Sequence, residues 1–147
     1  MVIFFLQVRG YLPTIYQLQY GRTPDVGPWI TTFNKRSLKH YKMKEVNVGL
    51  EQTHRMLSDF FQYFLAFNFS KMVVCPFLGR EVLRSKLKYS MPARCREFIG
   101  KITFKKNTVA IQDLVHLNHN KGAKIAKRVL DHFLKRCRLE LNGLFKT

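Results

Sequence analysis

Apolar positions fall into two helical stripes, one strand-like run and a short apolar opening. From Leu50 to Phe67 they sit at Met56, Leu57, Phe60, Phe61, Phe64, Leu65 and Phe67, spaced at i, i+3, i+4 as one face of a helix requires. This density predicts a helix buried over most of its circumference, its aromatic stripe packing in the core rather than stacking on bases. A second stripe, Ile125, Ala126, Val129, Leu130, Phe133, Leu134, Cys137 and Leu141, predicts a helix from Lys121 to about Leu141. Its outer face carries Lys121, Lys124, Lys127, Arg128, Lys135, Arg136 and Arg138. Phe69–Phe77 reads as a strand through Met72, Val73, Val74 and Cys75, stopped by Pro76 and Gly79. The opening Met1–Leu6 is too short to span a bilayer. It also lacks the basic region and cleavage site of a signal peptide. It reads as the last turns of a buried helix ending at Arg9-Gly10, although a helix seldom starts inside its own stripe.

Between these elements the pattern is weaker. Pro13 restarts the backbone and Thr14–Gln19 predicts a short helix with Ile15 and Leu18 inward. Gly21–Pro28, with two Gly and two Pro, is a loop. Trp29–Phe33 is a short extended piece that buries one large aromatic, and Lys35–Lys44 is a basic, exposed loop. Residues 80–107 read as irregular. The whole predicts one mainly α domain with short strands, in 147 residues, enough to bury roughly two-thirds of the unfolded surface.

Charge narrows the partners. Lys and Arg number 26 against 9 Asp and Glu, a net +17. Such an excess repels itself unless a polyanion neutralises it, which points to nucleic acid. In the 80–107 segment Arg80, Arg84, Lys86, Lys88, Arg94, Arg96, Lys101, Lys105 and Lys106 alternate with Tyr89, Phe98 and Phe104. Cations can track phosphates there while rings stack on bases; alternatively the rings anchor a basic loop to the core. The RNA contacts expected are Arg80, Arg84, Lys86 and Lys105, with Lys124, Lys127 and Arg128 on the last helix. Cys75, Cys95 and Cys137 are odd in number and far apart, with no C-x-x-C and no zinc-ligand spacing. They read as reduced thiols of an intracellular protein, cytoplasmic or nuclear before mitochondrial, neither secreted nor membrane-bound.

The stretch Val109–Gly122 carries the most chemistry. It sets Asp113, His116, Asn118, His119 and Asn120 on a short polar turn between an apolar run and a helix start. Asp113 can accept from backbone amides or a cation, and Asn118 and Asn120 suit an N-cap. His119 offers a donor or an acceptor according to tautomer, the kind of group that favours a uracil carbonyl over an adenine amine.

Three blocks, in order, resemble the C-terminal helical, poly(A) polymerase-associated region of the noncanonical poly(A) polymerases and terminal uridylyltransferases. They are Met1–Gln7 with Leu12-Pro13-Thr14; Leu57–Phe64 with Phe67–Lys71 and Gly79-Arg80-Glu81; and Ile111-Gln112-Asp113 with Leu117-Asn118-His119-Asn120. Trp29 to Phe33 resembles a Trp-x-x-x-Phe piece between the first two. The resemblance implies that Asp113 opens the nucleotide-recognition motif and that His119 favours UTP. It implies too that Arg80 faces RNA or nucleotide. Two positions depart: the family's Asp-Pro-Phe-Glu/Asp is here Asp113-Leu114-Val115-His116, and the arginine two residues before Gly-Arg-Glu is Phe77.

Relatives of this kind join nucleotides with two metal ions held by three carboxylates, on a Gly-Ser loop and an Asp-x-Asp strand. In this chain no two of the nine acids are separated by a single residue, so no catalytic or metal-binding residue is assigned. The expectation is a nucleotidyltransferase-family helical domain with nucleotide contacts at Asp113, His116, His119 and Asn120, lacking the catalytic palm and inactive alone. Magnesium and UTP would enter only with a separate palm chain. The alternative is a stand-alone basic RNA-binding module with a vestigial nucleotide site.

Overall fold

The computed structural model describes residues 1–100 and 104–144; Lys101, one of the basic residues above, lies outside them. Five helices and one small sheet follow in the order α1 (Val2–Val8), α2 (Ile15–Leu18), α3 (Leu50–Ala66), β1 (Met72–Val73), β2 (Val82–Leu83), α4 (Leu87–Ser90) and α5 (Lys127–Leu144). A 3-10 turn, Ala93–Phe98, lies between α4 and α5. The mainly helical expectation holds.

The run Met72–Cys75 divides the interior in two. Its side chains alternate, as extended backbone requires. Val73 and Cys75 join a core with Trp29, Leu87, Met91, Cys95, Phe104 and Leu117. Val74 points the other way, into a core of Phe4, Phe5, Phe64, Phe67, Phe69 and Val109, covered by Leu130, Phe133 and Leu134 of α5. The second core is largely aromatic; Phe67 and Phe69 pack at 4.8 Å between ring centroids, within the range where tilted rings attract. Extended pairing is shorter than the apolar run suggested. β1 pairs antiparallel with β2 through Met72–Leu83 and Val73–Val82, and Val74 bridges Ile111 in parallel. Pro76 and Gly79 then turn the chain. Gly79 sits at φ +62°, and a Cβ there would lie 2.7 Å from the Thr14 methyl.

Several boundaries differ from the pattern-based reading. Helix α3 buries one face rather than most of its circumference; Phe64 is its one fully enclosed residue, while Leu57 is 42% exposed. Among the described elements, α1 and α5 pack most on it. Helix α5 starts at Lys127, not Lys121, because residues 121–124 form turns. The irregular 80–107 segment holds β2, α4 and the 3-10 turn. Of its three rings Phe104 is buried, whereas Tyr89 and Phe98 are exposed. Trp29 is buried as expected, together with Ile30. Thr14 and Gln17 close α2 with a capping box, each side chain satisfying an amide at the helix start. All three thiols are buried, and burial raises their pKa values, that of Cys75 to about 11.

Arg84 is a correction to the RNA-contact set. Its guanidinium is buried and donates to five backbone carbonyls. Nη1 reaches Phe104 at 2.9 Å, Asn107 at 2.6 Å and Lys105 at 3.4 Å. Nη2 reaches Phe69 and, at 3.1 Å, Thr108. Burial lowers its pKa, yet a guanidinium stays charged. A planar fork spreads its donors over separate nitrogens and serves carbonyls on two segments at once; a lysine ammonium brings three donors on one atom, too few for these five carbonyls. Arg84→Lys is therefore expected to lower stability by about 2–4 kcal/mol, since buried carbonyls lose donors. Urea unfolding of the two proteins measures it, and an unchanged midpoint would remove Arg84 from this role.

Candidate functional site

The polar turn grows out of the run Val109–Gln112, which is pinned to β1's continuation by Val74 N–H to Ala110 O and Gln112 N–H to Val74 O, both 2.9 Å. Gln112 is buried and fully engaged. Its amide donates to Leu117 O at 3.1 Å and to Met91 Sδ at 3.2 Å, and its oxygen accepts from Cys75 Sγ at 3.2 Å. Below the turn, Gly122 lies against the same run; a Cβ there would sit 2.6 Å from Val109 O. Glycine is needed because the obstacle is backbone.

Asp113 organises the turn. One carboxylate oxygen accepts from the Val115 amide at 2.8 Å and the His116 amide at 2.9 Å. The other pairs with Lys121 Nζ at 2.9 Å. Burial by itself pushes this carboxyl up. The Val115 amide, Lys121 and the His116 amide outweigh it and hold the group below the usual aspartate range. Lys121, placed by periodicity on the outer face of a helix, is thus a site residue. The signal that could have found it is its position immediately after the polar cluster.

The other nominated residues separate. His119 is exposed, and its ring stacks on His116 at 5.1 Å and 23°. His116 is half-buried and braced edge-on against Trp29 at 6.1 Å. Trp29 was read from sequence as a core residue alone. Asn120 is a correction. It is buried, and its side chain bonds to the backbone of the turn rather than capping α5, which starts at Lys127. Its oxygen accepts from Ile111 N–H at 2.9 Å and Gly122 N–H at 2.8 Å, and its amide donates to Val109 O at 3.0 Å. Asn118 is half-buried. Arg80, Lys86, Lys105, Lys124, Lys127 and Arg128 are all exposed. Lys127 shares an i, i+4 pair with Asp131 at 3.0 Å, too weak at the surface to withdraw it from a phosphate.

A groove of about 650 Å³ lies beside the turn, walled by Met1, Val2, Ile3 and Phe4 of the first helix and by Ile111–Val115 with Lys121. That volume suits a small ligand. Asp113 and Lys121 line it, whereas the two histidines lie outside its wall. Among the described residues no three of His, Cys, Asp and Glu stand together so as to hold a metal. Nor is any helix of those residues long and apolar enough to cross a membrane.

Solved structures share this architecture. Crystal structures of mtPAP, a mitochondrial poly(A) polymerase, in complex with UTP and with CTP each match at TM-score 0.70 and 22% identity, over 99% of this chain. One in complex with ATPγS matches at 0.65 and 22% identity, over 95%. The chain has the fold of that part of mtPAP. It spans about a quarter of the polymerase's length, 26–28% in these structures. No protein-family model matches the chain.

The turn yields a stability test with a pH signature. Asp113→Ala removes two backbone acceptor contacts and is expected to cost about 1–2 kcal/mol at pH 7. Asp113→Asn keeps an acceptor oxygen and loses the Lys121 pair, and should cost less. A carboxyl whose folded pKa is depressed stabilises above its unfolded value, about 3.9, and loses that contribution as pH falls through the folded value. The gap between wild type and Asp113→Ala should therefore narrow below about pH 4 in denaturant titrations; a gap independent of pH would contradict the assignment.

Proposed function

We propose that this chain is the nucleotide- and RNA-recognising helical part of an RNA 3′-end terminal nucleotidyltransferase of uridylyltransferase type, and that by itself it extends no RNA. The observation that carries this reading is the Asp113 turn. It holds the His119 ring outward, stacked on His116, which Trp29 braces edge-on, and its Asp113 and Lys121 line a groove. A ring braced in that way presents a fixed donor or acceptor edge to a nucleobase, and Lys121 adds positive charge. The mtPAP structures hold ATPγS, UTP or CTP. If the shared architecture admits three different bases, selection between them falls to side chains such as His119. Asp113, His116 and His119 are therefore the proposed nucleotide contacts, and Arg80, Lys86, Lys105, Lys124, Lys127 and Arg128 the proposed RNA contacts.

Lack of activity alone rests on the acids. Two-metal phosphoryl transfer needs carboxylates converging on one point. The nine acids of this chain all fall within the described residues, and none of them joins a group of three His, Cys, Asp or Glu able to hold a metal. A palm supplied by another chain would bring magnesium and the grip on the UTP triphosphate, and is the protein partner proposed.

The chain is expected to leave an RNA oligonucleotide unextended in UTP and magnesium, read on a sequencing gel; incorporation would overturn the inert reading. It should nonetheless bind UTP in calorimetry, and His119→Ala should weaken that binding about tenfold, the scale of one lost hydrogen bond to a base. RNA binding that falls steeply with salt, with no UTP binding at all, would instead establish a stand-alone RNA module.

A further inference from the structure

A second surface, remote in sequence from the Asp113 turn, has the composition of a single-strand binding track. Tyr20 is 73% exposed and Tyr16 51%, and their rings pack edge to face at 6.5 Å. Tyr16 is braced in turn on Phe77 at 5.8 Å. The two tyrosines form a common wall between two grooves, of about 380 Å³ and 200 Å³. The larger groove is completed by Arg36 and Tyr41, the smaller by Arg22 and Arg94. Cations thus flank the ring pair on both sides.

The charge around these grooves is almost unopposed. Residues 14–44 hold six Lys and Arg and one acid, Asp25, whose carboxylate is taken up by the Thr31 amide and hydroxyl. None of the ion pairs among the described residues involves a cation of this stretch. Arg22 is held in place by Asn34 and Thr32 at 3.1 and 2.9 Å, which orients its guanidinium without neutralising it. The Tyr41 hydroxyl is buried without a hydrogen-bond partner, a cost that a polar ligand reaching it would relieve.

We propose that this surface binds single-stranded RNA, with bases stacking on Tyr20 and Tyr16 and phosphates held by Arg36, Arg22 and Arg94. Exposed rings alternating with cations suit unpaired bases, because each base offers a face to stack and each linkage a phosphate. In a duplex those faces are hidden. The track also leads toward the turn: Arg94 donates to Pro28 O at 3.1 Å, next to Trp29, whose ring braces His116. The inference shares with the reading above only the class of polymer; its residues are separate from the Asp113 turn.

Fluorescence anisotropy with homopolymeric single-stranded RNA tests it on the full chain. Tyr20 contributes little to the core, so Tyr20→Ala should fold normally and bind at least about fivefold more weakly, the scale of one lost stacking contact. Tyr20→Phe keeps the ring and should bind within about twofold of wild type. Arg36→Ala should lower the salt dependence by roughly one phosphate contact. Wild-type affinity in Tyr20→Ala would overturn the proposal, as would a loss confined to vesicles containing phosphatidylserine. UTP binding by His119→Ala, measured alongside, reports on the nucleotide turn alone. The two readings therefore fail separately.

Discussion

The candidate site depends on one buried cation. The Arg84 guanidinium gathers carbonyls from Phe69, just before β1, and from residues 104–108, just before the run that carries the turn. Those segments have no regular pairing of their own, and buried carbonyls without donors are costly. One side chain therefore registers the irregular chain around Phe104 against the strand that divides the two cores. Beyond that point Val109–Gln112 is fixed by two backbone bonds to Val74, Asn120 fastens the far end of the turn, and Asp113 folds the middle. The exposed position of His119 is the end of that sequence of constraints.

The large elements were legible because burial leaves a period in the sequence. α3, α5 and the short α2 are all visible as patterns. What the pattern overstated was extent. Met56, Leu57, Phe60, Phe61 and Leu65 repeat at helical spacing, yet spacing does not reveal how many neighbours a helix has. With α1 and α5 as its main partners, α3 encloses Phe64 fully and leaves Leu57 partly in solvent. The start of α5 was misjudged for a local reason. Ile125 and Ala126 fit the stripe, but Gly122 must lie against Val109 O and Asn120 uses its side chain on that same backbone. The helix begins only after these contacts are made.

The site was legible by residue type and less so by role. Asp113 lies at the centre of the polar turn and accepts from its amides, and His119 is exposed on it. Arg84 and Asn120 carry the same chemistry, yet serve the backbone. Charge and hydrogen-bonding capacity are properties of a residue; whether they face inward is a property of the fold. Arg84 sits next to Leu83 at the end of a two-residue strand, a position no periodicity marks. Lys121 was hidden differently, since its cationic neighbours on α5 made it look like one more solvated charge.

Placement of the ion pairs leaves the charge of so basic a chain largely uncompensated. Of the four pairs among the described residues, three lie at i, i+4 along a single helix, and both partners of each are largely exposed. Such pairs contribute little and neutralise nothing between elements. Lys121–Asp113 alone joins more distant positions, eight residues apart. Folding therefore brings most of the net +17 closer together with almost no tertiary compensation, and self-repulsion opposes the compact state. A ligand that supplies phosphates relieves that repulsion and binds the folded chain in preference to the unfolded one, which adds to stability by mass action. On this argument the exposed basic residues belong to the energetics of the fold. Salt should then act in opposite directions on stability and RNA affinity, screening the self-repulsion and so stabilising the free chain while weakening any hold on phosphates, because the same cations contribute to both.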